Sequence, residues 1–192
     1  MYSKNKQVKI LLKKIEELSL QKEHLIIAID GRCASGKTTL AAYLKGTLEC
    51  NIIPMDHFFL QPHMRSLQRL AQPGGNVDYE RFFTEVLVPL SRDEAFAYRP
   101  YNCKKQILDA AVKITPGAVT IIEGSYSCHP YLRSSYDLKI FLSTPKDEQK
   151  RRIKERNGEN GWKIFHEKWI PLEEFYFSNL EIDAQCDIHI TT

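Results

Sequence analysis

Residues 31–38 read G-R-C-A-S-G-K-T, which fits the pattern G-x-x-x-x-G-K-T, and this segment constrains the fold more than any other. Residues 25–29, just before it, are an apolar run typical of a buried strand. Residues 38–45, just after it, favour a helix, which we expect Gly46 to stop. A strand, a glycine turn and a helix N-terminus in this order direct backbone N–H groups and a helix dipole at a polyphosphate. The segment therefore predicts a site for a nucleoside triphosphate.

Each part of this phosphate-binding loop (P-loop, residues 31–38) predicts a separate contact, with ATP and Mg²⁺ as the expected cofactors. The Lys37 ammonium group should reach the terminal phosphates, and the Thr38 hydroxyl should bind Mg²⁺. The residues expected to hold ATP are Gly31, Arg32, Cys33, Ala34, Ser35, Gly36, Lys37, Thr38 and Thr39. The alternative interpretation, a glycine turn without a ligand, leaves the flanking strand and helix unexplained.

The composition limits the classes of partner. The chain has 192 residues, enough for one domain, and 43% hydrophobic with 27% charged residues is typical of a globular protein. A net charge of +3, spread along the chain, does not favour nucleic acid or membrane binding, and no apolar run is long enough for a transmembrane helix. Five scattered cysteines without a C-x-x-C pair indicate reduced thiols, so we expect a cytoplasmic protein. The sequence leaves the oligomeric state open, and a homo-oligomer is one of the alternatives.

Apolar strands alternate with helices along the chain, which is typical of parallel βαβ units covered on both faces. Besides 25–29, the predicted strands are 51–55, 119–122, 138–142 and 187–190; the predicted helices are 6–20, 79–90, 146–156 and 165–180, the last kinked at Pro171; 96–101 and 106–114 form a hairpin; and 157–161 form a flexible loop. The prediction is an α/β fold with a mostly parallel central sheet. Residues 1–192 are expected to form one domain, with an N-terminal helix (1–20), a hairpin insert (about 95–114) and a small lid (about 150–162).

Three acidic residues fall where predicted strands end, and ligands gather at the carboxyl ends of such strands. They are Asp30 before the P-loop, Asp56 after the second strand and Glu123 after the third. A carboxylate at this edge can hold Mg²⁺ or take a proton from an attacking hydroxyl. The alternative for each is a helix cap or turn residue, and Asp30 is better explained as part of the P-loop turn.

From Asp56 onward, several short segments occur in an order that resembles one known family. They are M-D-H-F-F at 55–59, N-V-D at 76–78, P-Y at 100–101, E-G at 123–124, and Arg151, Arg152 and Arg156. Together they resemble the uridine kinases of the phosphoribulokinase/uridine kinase family of P-loop kinases. That resemblance implies a three-layer P-loop NTPase fold of the nucleoside or nucleotide kinase type.

The resemblance also implies roles for individual residues. Asp56 would activate the acceptor hydroxyl, Asp78 would hold the acceptor's ribose, and Tyr101 would face the nucleobase. Glu123 would lie near the metal, and Arg152 and Arg156 would be lid arginines that close on the transferred phosphate. In the acceptor pocket the chain departs from the family pattern: Phe59 replaces a tyrosine, Cys103 replaces an aromatic residue and Gln106 replaces a histidine. These departures put uridine as the acceptor in doubt.

The arginine helix also has an explanation from physical chemistry alone. Arg152 and Arg156 are four residues apart on one helix face, and guanidinium groups suit phosphate oxygens. The alternative is a solvated helix with Glu148–Arg152 and Arg151–Glu155 pairs. The neighbouring glycine-flanked segment favours a moving lid.

Two functions from different classes remain. The first is a kinase that moves the γ-phosphoryl group of ATP to a hydroxyl, with the 5′-hydroxyl of a pyrimidine nucleoside as the favoured acceptor. Nicotinamide riboside, pantothenate, another sugar-like alcohol or a nucleoside monophosphate are the other acceptors considered. The second is a non-catalytic nucleotide-binding module or a regulatory NTPase. The set Asp56, Asp78 and Tyr101 favours the kinase, because a switch does not need residues for an acceptor.

Overall fold

The computed structural model describes residues 6–192. The helices are α1 (Lys6–Ser19), α2 (Lys37–Thr47), α3 (Leu67–Leu70), α4 (Tyr79–Phe82), α5 (Val88–Ser91), α6 (Lys146–Ile164) and α7 (Ile170–Asn179). The strands are β1 (Leu25–Gly31), β2 (Cys50–Pro54), β3 (Phe96–Tyr98), β4 (Tyr101–Asn102), β5 (Ile107–Leu108), β6 (Val112–Ile114), β7 (Val119–Glu123), β8 (Leu138–Ser143) and β9 (Ile188–Thr191). Among these residues, no helix is both long and apolar enough to cross a membrane.

The central sheet has five strands in the order β2-β7-β1-β8-β9, and every neighbouring pair is parallel. Alternate residues of β1 serve two separate cores. Ile27 belongs to the core that includes Leu40 of α2 and Leu11 of α1, whereas Ala28 belongs to the core that includes Phe82 and Tyr176. Helices therefore cover both faces of the sheet. The predicted three-layer α/β P-loop fold is confirmed.

Two helices contain a π turn directly before a proline. The Val88 N–H donates to the Phe83 carbonyl, and Pro89 follows; the Ile170 N–H donates to the Phe165 carbonyl, and Pro171 follows. Proline has no N–H for the helical ladder, so a wider turn beside it lets the helix continue. The irregularity that we predicted at Pro171 is therefore a π turn that leads into α7.

Several predicted boundaries were wrong. Helix α2 passes through Gly46 and ends at Thr47. Residues 157–161 are not an open loop, because α6 consists of two helical segments that meet at a kink at Gly158, where φ is 71° and ψ is −176°. The predicted hairpin is present but divided, since β3 pairs with β6 and β4 pairs with β5. Of the predicted 1–20 helix, residues 1–5 lie outside the described residues.

Candidate active site

The carboxyl ends of β1, β2 and β7 open into a cavity of about 990 Å³. This volume is at the upper end of the range of small-molecule sites, about 300–1,000 Å³. The P-loop and strand ends form its floor, and α6 with the 165–173 segment forms its roof. Among the residues expected to hold ATP, those that line the cavity are Cys33, Ala34, Gly36, Lys37, Thr38 and Thr39. Gly31, Arg32 and Ser35 are not part of this lining.

The P-loop backbone has the conformation that a phosphate cradle requires. Ala34 and Gly36 have φ values of 59° and 92°, which turn the chain sharply before α2 begins at Lys37. At Gly31, φ is 129° and an added Cβ would lie 2.0 Å from the Leu142 carbonyl oxygen, so only glycine fits. The helix N-terminus and the Lys37 ammonium supply the donors for a polyphosphate. These residues fit ATP.

Lys37 is buried and held against its own loop. Its Nζ donates to the carbonyl oxygens of Gly31 at 2.5 Å and Arg32 at 3.0 Å, and to the Ser125 hydroxyl at 3.2 Å. Lys37 is nevertheless one of the residues that line the cavity. Its position is therefore set by three oxygens that surround the entrance of the loop.

Glu123 and Thr38 form the candidate metal site. The Thr38 hydroxyl lies 3.2 Å from both Glu123 carboxylate oxygens. Burial raises the pKa of Glu123, the Lys37 charge opposes this, and the Asp56 charge adds to it. No group of three or more His, Cys, Asp or Glu within residues 6–192 could hold a metal alone. Two oxygen ligands fit Mg²⁺, which usually keeps waters and binds substrate phosphates.

Asp56 lies at the same edge of the sheet. It follows β2 in a short 3₁₀ turn, Met55–Phe58, and its side chain is exposed and lines the cavity. Pro54 in β2 is paired with Glu123 in β7, which brings the two carboxylates to neighbouring strand ends. The structure thus brings together Asp56, Glu123 and Lys37, as the sequence predicted.

Asp30 is fully buried and organises the P-loop from behind. Its carboxylate accepts hydrogen bonds from the N–H groups of Gly31, Tyr126 and Cys128, at 2.7, 3.1 and 2.8 Å, and from the Tyr176 hydroxyl at 2.9 Å. Burial raises the pKa of Asp30 to about 6, although these hydrogen bonds and Lys37 oppose the effect. Asp30 belongs to the P-loop turn, as the sequence indicated.

The two predicted lid arginines both line the cavity, but they differ in their contacts and in their exposure. Arg152 donates to the Ala34 carbonyl at 3.1 Å and to Glu148 at 2.7 Å. The guanidinium group of Arg156 is exposed and lies 5.5 Å from the centre of the Phe165 ring. The Glu148–Arg152 and Arg151–Glu155 pairs of the alternative interpretation are also formed. This helix therefore forms both ion pairs of the alternative interpretation and also contributes Arg152 and Arg156 to the cavity.

Only some of the residues predicted to bind the acceptor line the cavity. Phe59 lines the cavity with Asp56, but Asp78, Tyr101 and Gln106 lie outside its lining. Asp78 caps α4, where its carboxylate accepts the Arg81 N–H at 3.1 Å. The Tyr101 hydroxyl is 3.2 Å from the Arg65 guanidinium, and Gln106 is exposed in the hairpin turn with φ 57°. The roles of these three residues stay predictions.

Sequence reasoning missed several cavity residues: Arg65, Asn76, Ser125, Lys168, Trp169 and Glu173. Glu173 is the most informative, because it is only 6% exposed and contacts the P-loop. A signal was present. Within the helix predicted over 165–180, Glu173 stands four residues after Trp169 and three before Tyr176, so it shares a helix face with two aromatic residues. A lone carboxylate on an apolar helix face is a candidate for a buried polar contact.

The chain is similar to proteins named as uridine kinases. It is 30% identical over 152 residues to uridine kinase-like protein 4 of Arabidopsis thaliana, and 28% identical over 136 residues to a uridine kinase of Ureaplasma parvum. The first match covers 74% of this chain but 32% of the Arabidopsis protein; the second covers 66% of each. The chain thus spans about a third of one relative and just under two thirds of the other. No protein-family model matches it.

Solved structures show the same fold. A possible uridine kinase from Bacillus stearothermophilus matches with a TM-score of 0.66 and 18% identity, over 94% of this chain and 98% of that one. D-glycerate 3-kinase from Cryptococcus neoformans matches with a TM-score of 0.60 and 16% identity, over 89% and 88%. The chain is therefore similar in sequence to uridine kinases and uridine kinase-like proteins, and it shares its fold with these solved kinases.

Proposed function

We propose that the chain is an ATP-dependent kinase that transfers the γ-phosphoryl group to a hydroxyl of a small molecule. The observation that carries the proposal is the position of Asp56, an exposed carboxylate in the same cavity as the P-loop residues Lys37 and Thr38. A nucleotide-binding module has no need of a base beside the phosphates. We further propose that residues 1–192 act as one cytoplasmic kinase domain, with a lid at about 150–162.

The chemistry follows from charge and position, because phosphoryl transfer needs little covalent help from the protein. Asp56 accepts the hydroxyl proton while the acceptor oxygen bonds to the γ-phosphorus, and the bond from that phosphorus to the bridging oxygen breaks to release ADP. Lys37 and Arg156 offset the charge on the phosphate oxygens. Thr38 and Glu123 would hold Mg²⁺, which would supply further neutralisation of the phosphate charge. Arg152 adds its charge to this neutralisation once its guanidinium group leaves Ala34 and Glu148 and binds the phosphate oxygens.

The acceptor that we propose first is the 5′-hydroxyl of a pyrimidine nucleoside, supported by the names of the sequence relatives. The rings of Phe59 and Trp169 are 6.3 Å apart and give the cavity an aromatic wall on which a base can stack. Asp78 and Tyr101 would contact this acceptor only after a rearrangement of the hairpin side of the cavity.

One observation favours a second candidate acceptor, an alcohol that carries a carboxylate, such as pantothenate. Arg65 lines the cavity, and its guanidinium is held by the Leu60 carbonyl at 2.8 and 3.0 Å. Within residues 6–192, no carboxylate forms an ion pair with Arg65. A guanidinium in this state can bind an anionic group of the acceptor.

The experiment is ADP release from ATP with a panel of nucleosides and hydroxy acids, for wild type and Asp56→Asn. The variant keeps the size of the side chain and removes its basicity, so we expect transfer to fall at least about 100-fold. ATP affinity by titration calorimetry should change little, because Lys37 and the loop amides remain. Asp93→Asn, exposed and outside the cavity, is the matched control.

Normal transfer by Asp56→Asn would refute the assignment of the base. If wild type phosphorylates no member of the panel while it binds ATP, the nucleotide-binding module is the better description.

A further inference from the structure

We propose that Glu173 is a positioning residue that sets the place of Lys37 and of the P-loop from α7. This inference rests on the proposed kinase function. Glu173 lies 140 residues from Cys33 in the sequence, yet its Oε2 accepts the Cys33 backbone N–H at 2.8 Å. Its Oε1 accepts the Ser125 hydroxyl at 2.6 Å. Each carboxylate oxygen therefore holds a different part of the site.

The Ser125 hydroxyl passes the effect of Glu173 on to Lys37. A hydroxyl has one proton and two lone pairs. The Ser125 Oγ lies 2.6 Å from the Glu173 carboxylate and 3.1 Å from the Gly31 carbonyl oxygen. Because the shorter bond, to the charged acceptor, takes the proton, a lone pair is left for Lys37, whose Nζ lies 3.2 Å away. The order of donors is thus the ammonium to the hydroxyl, and the hydroxyl to the carboxylate. Glu173 thus orients this relay through its hydrogen bonds and does not contact the phosphates itself.

Cys33 is held from both sides by the helices of the roof. Its N–H donates to Glu173 of α7, and its carbonyl accepts from Nε2 of Gln149 in α6 at 3.0 Å. The middle of the P-loop is thus fixed by α6 and α7 as well as by its own strand. A movement of either helix would therefore break or displace a hydrogen bond of the Cys33 backbone.

The burial of Glu173 argues that these contacts are specific. A buried carboxylate is costly unless it is hydrogen-bonded, and both of its oxygens are satisfied by the site. The neighbouring Glu174 differs, since it pairs with the Arg32 side chain and is far more exposed. Of the two acids, Glu173 is the one that reaches the loop backbone.

The test compares Glu173→Ala and Glu173→Gln with Glu167→Ala, an exposed residue six positions earlier, in the π turn that precedes α7. A small misplacement of a reacting group can cost about 100-fold in rate. We expect Glu173→Ala to lower kcat at least about 10-fold, with KM for ATP changed less than about threefold, since the Lys37 contact strengthens in the transition state.

In Glu173→Gln the amide oxygen can accept from Cys33 and the NH₂ can donate to Ser125. The Ser125 proton then turns to the Gly31 carbonyl oxygen 3.1 Å away, which leaves a lone pair for Lys37. Glu173→Gln should therefore stay within about threefold of wild type.

Two further measurements separate positioning from a purely structural role. Hydrogen exchange of the Cys33 amide, followed by NMR without nucleotide, should be at least about 10-fold faster in Glu173→Ala, because its hydrogen-bond acceptor is gone. Ser125→Ala breaks the relay but keeps the Cys33 bond. It should lower kcat about 10-fold with the Cys33 amide still protected, and it covers the case in which Glu173→Ala does not fold.

The outcomes are distinguishable. If wild type transfers phosphate but Glu173→Ala and Ser125→Ala keep normal kcat, the positioning role is overturned and the kinase function stands. If Glu173→Gln is as impaired as Glu173→Ala, hydrogen-bond placement is not the cause, which also overturns the inference. If wild type transfers phosphate to no acceptor, the proposed function fails and this inference fails with it.

Discussion

Asp30 gives the sharpest quantitative prediction, because it is fully buried and its pKa is raised from 3.8 to about 6. The native state then binds more protons than the unfolded state between these two values. Stability must therefore fall as pH rises through this window. Over the full titration of Asp30, the free energy of unfolding falls by about 3 kcal/mol as pH rises. Between about pH 5 and about pH 7.5 it falls by about 1.4 kcal/mol.

Asp30→Asn removes this pH dependence while it keeps the shape of the side chain. The amide oxygen can take the place of Oδ1, which accepts from Gly31 and Tyr126. The amide NH₂ then faces the Tyr176 hydroxyl, which can turn to accept, and the Cys128 N–H, which cannot. One unsatisfied buried N–H costs about 1–3 kcal/mol at every pH.

The assay is urea unfolding of wild type and Asp30→Asn, followed by tryptophan fluorescence at several pH values between about pH 5 and about pH 7.5. The free energy of unfolding of wild type minus that of the variant should decrease by about 1.4 kcal/mol across this range. If this difference in the free energy of unfolding stayed constant or grew with pH, the claim that the charge of the buried Asp30 carboxylate destabilises the folded protein would be refuted.

Three further predictions concern the cavity and its loop. Lys37→Ala should lower kcat at least about 100-fold, because it removes charge that stabilises the transition state; steady-state kinetics with near-normal kcat would contradict the P-loop assignment. Arg156→Ala should lower kcat and change stability by less than about 0.5 kcal/mol, since this side chain is exposed; thermal unfolding that shows a loss of several kcal/mol at normal kcat would make Arg156 structural. Gly31→Ala should lower the free energy of unfolding by at least about 3 kcal/mol, because its Cβ would overlap the Leu142 carbonyl. Gly46→Ala should raise it by about 0.5–1 kcal/mol, because a Cβ there meets nothing within 4 Å. Equal urea midpoints of unfolding for the two variants would be incompatible with this geometry.

The nucleotide side of the cavity could be predicted because its parts are close in sequence or lie at strand ends. The P-loop is a continuous segment, and residues 25–47 contain its strand, turn and helix. Asp56 and Glu123 follow buried strands, and parallel strands bring their carboxyl ends to one edge. The family resemblance pointed to the same two carboxylates.

The acceptor side was harder to predict, because side-chain direction there depends on packing between distant elements. Arg81 lies 4.2 Å from the centre of the Phe58 ring and pairs with Asp78, which draws that carboxylate toward α4. The Tyr101 hydroxyl is taken by Arg65. Asp78 and Arg81 are three residues apart at the start of α4, so the capping role of Asp78 is a local pattern that sequence reasoning overlooked. The contact between Arg65 and Tyr101 has no local pattern, since the two residues are 36 positions apart.

The sequence by itself determined the α/β class, the parallel strands and the P-loop, because these depend on short-range periodicity and on glycine at fixed positions. Only the tertiary structure decided that Asp30 is a buried brace, that Arg152 rests on the Ala34 carbonyl and that Glu173 holds the Cys33 amide. The physical reason is that a carboxylate or guanidinium group can satisfy its hydrogen bonds with many partners. Which partner it has is settled only when helices distant in sequence pack over the same edge of the sheet.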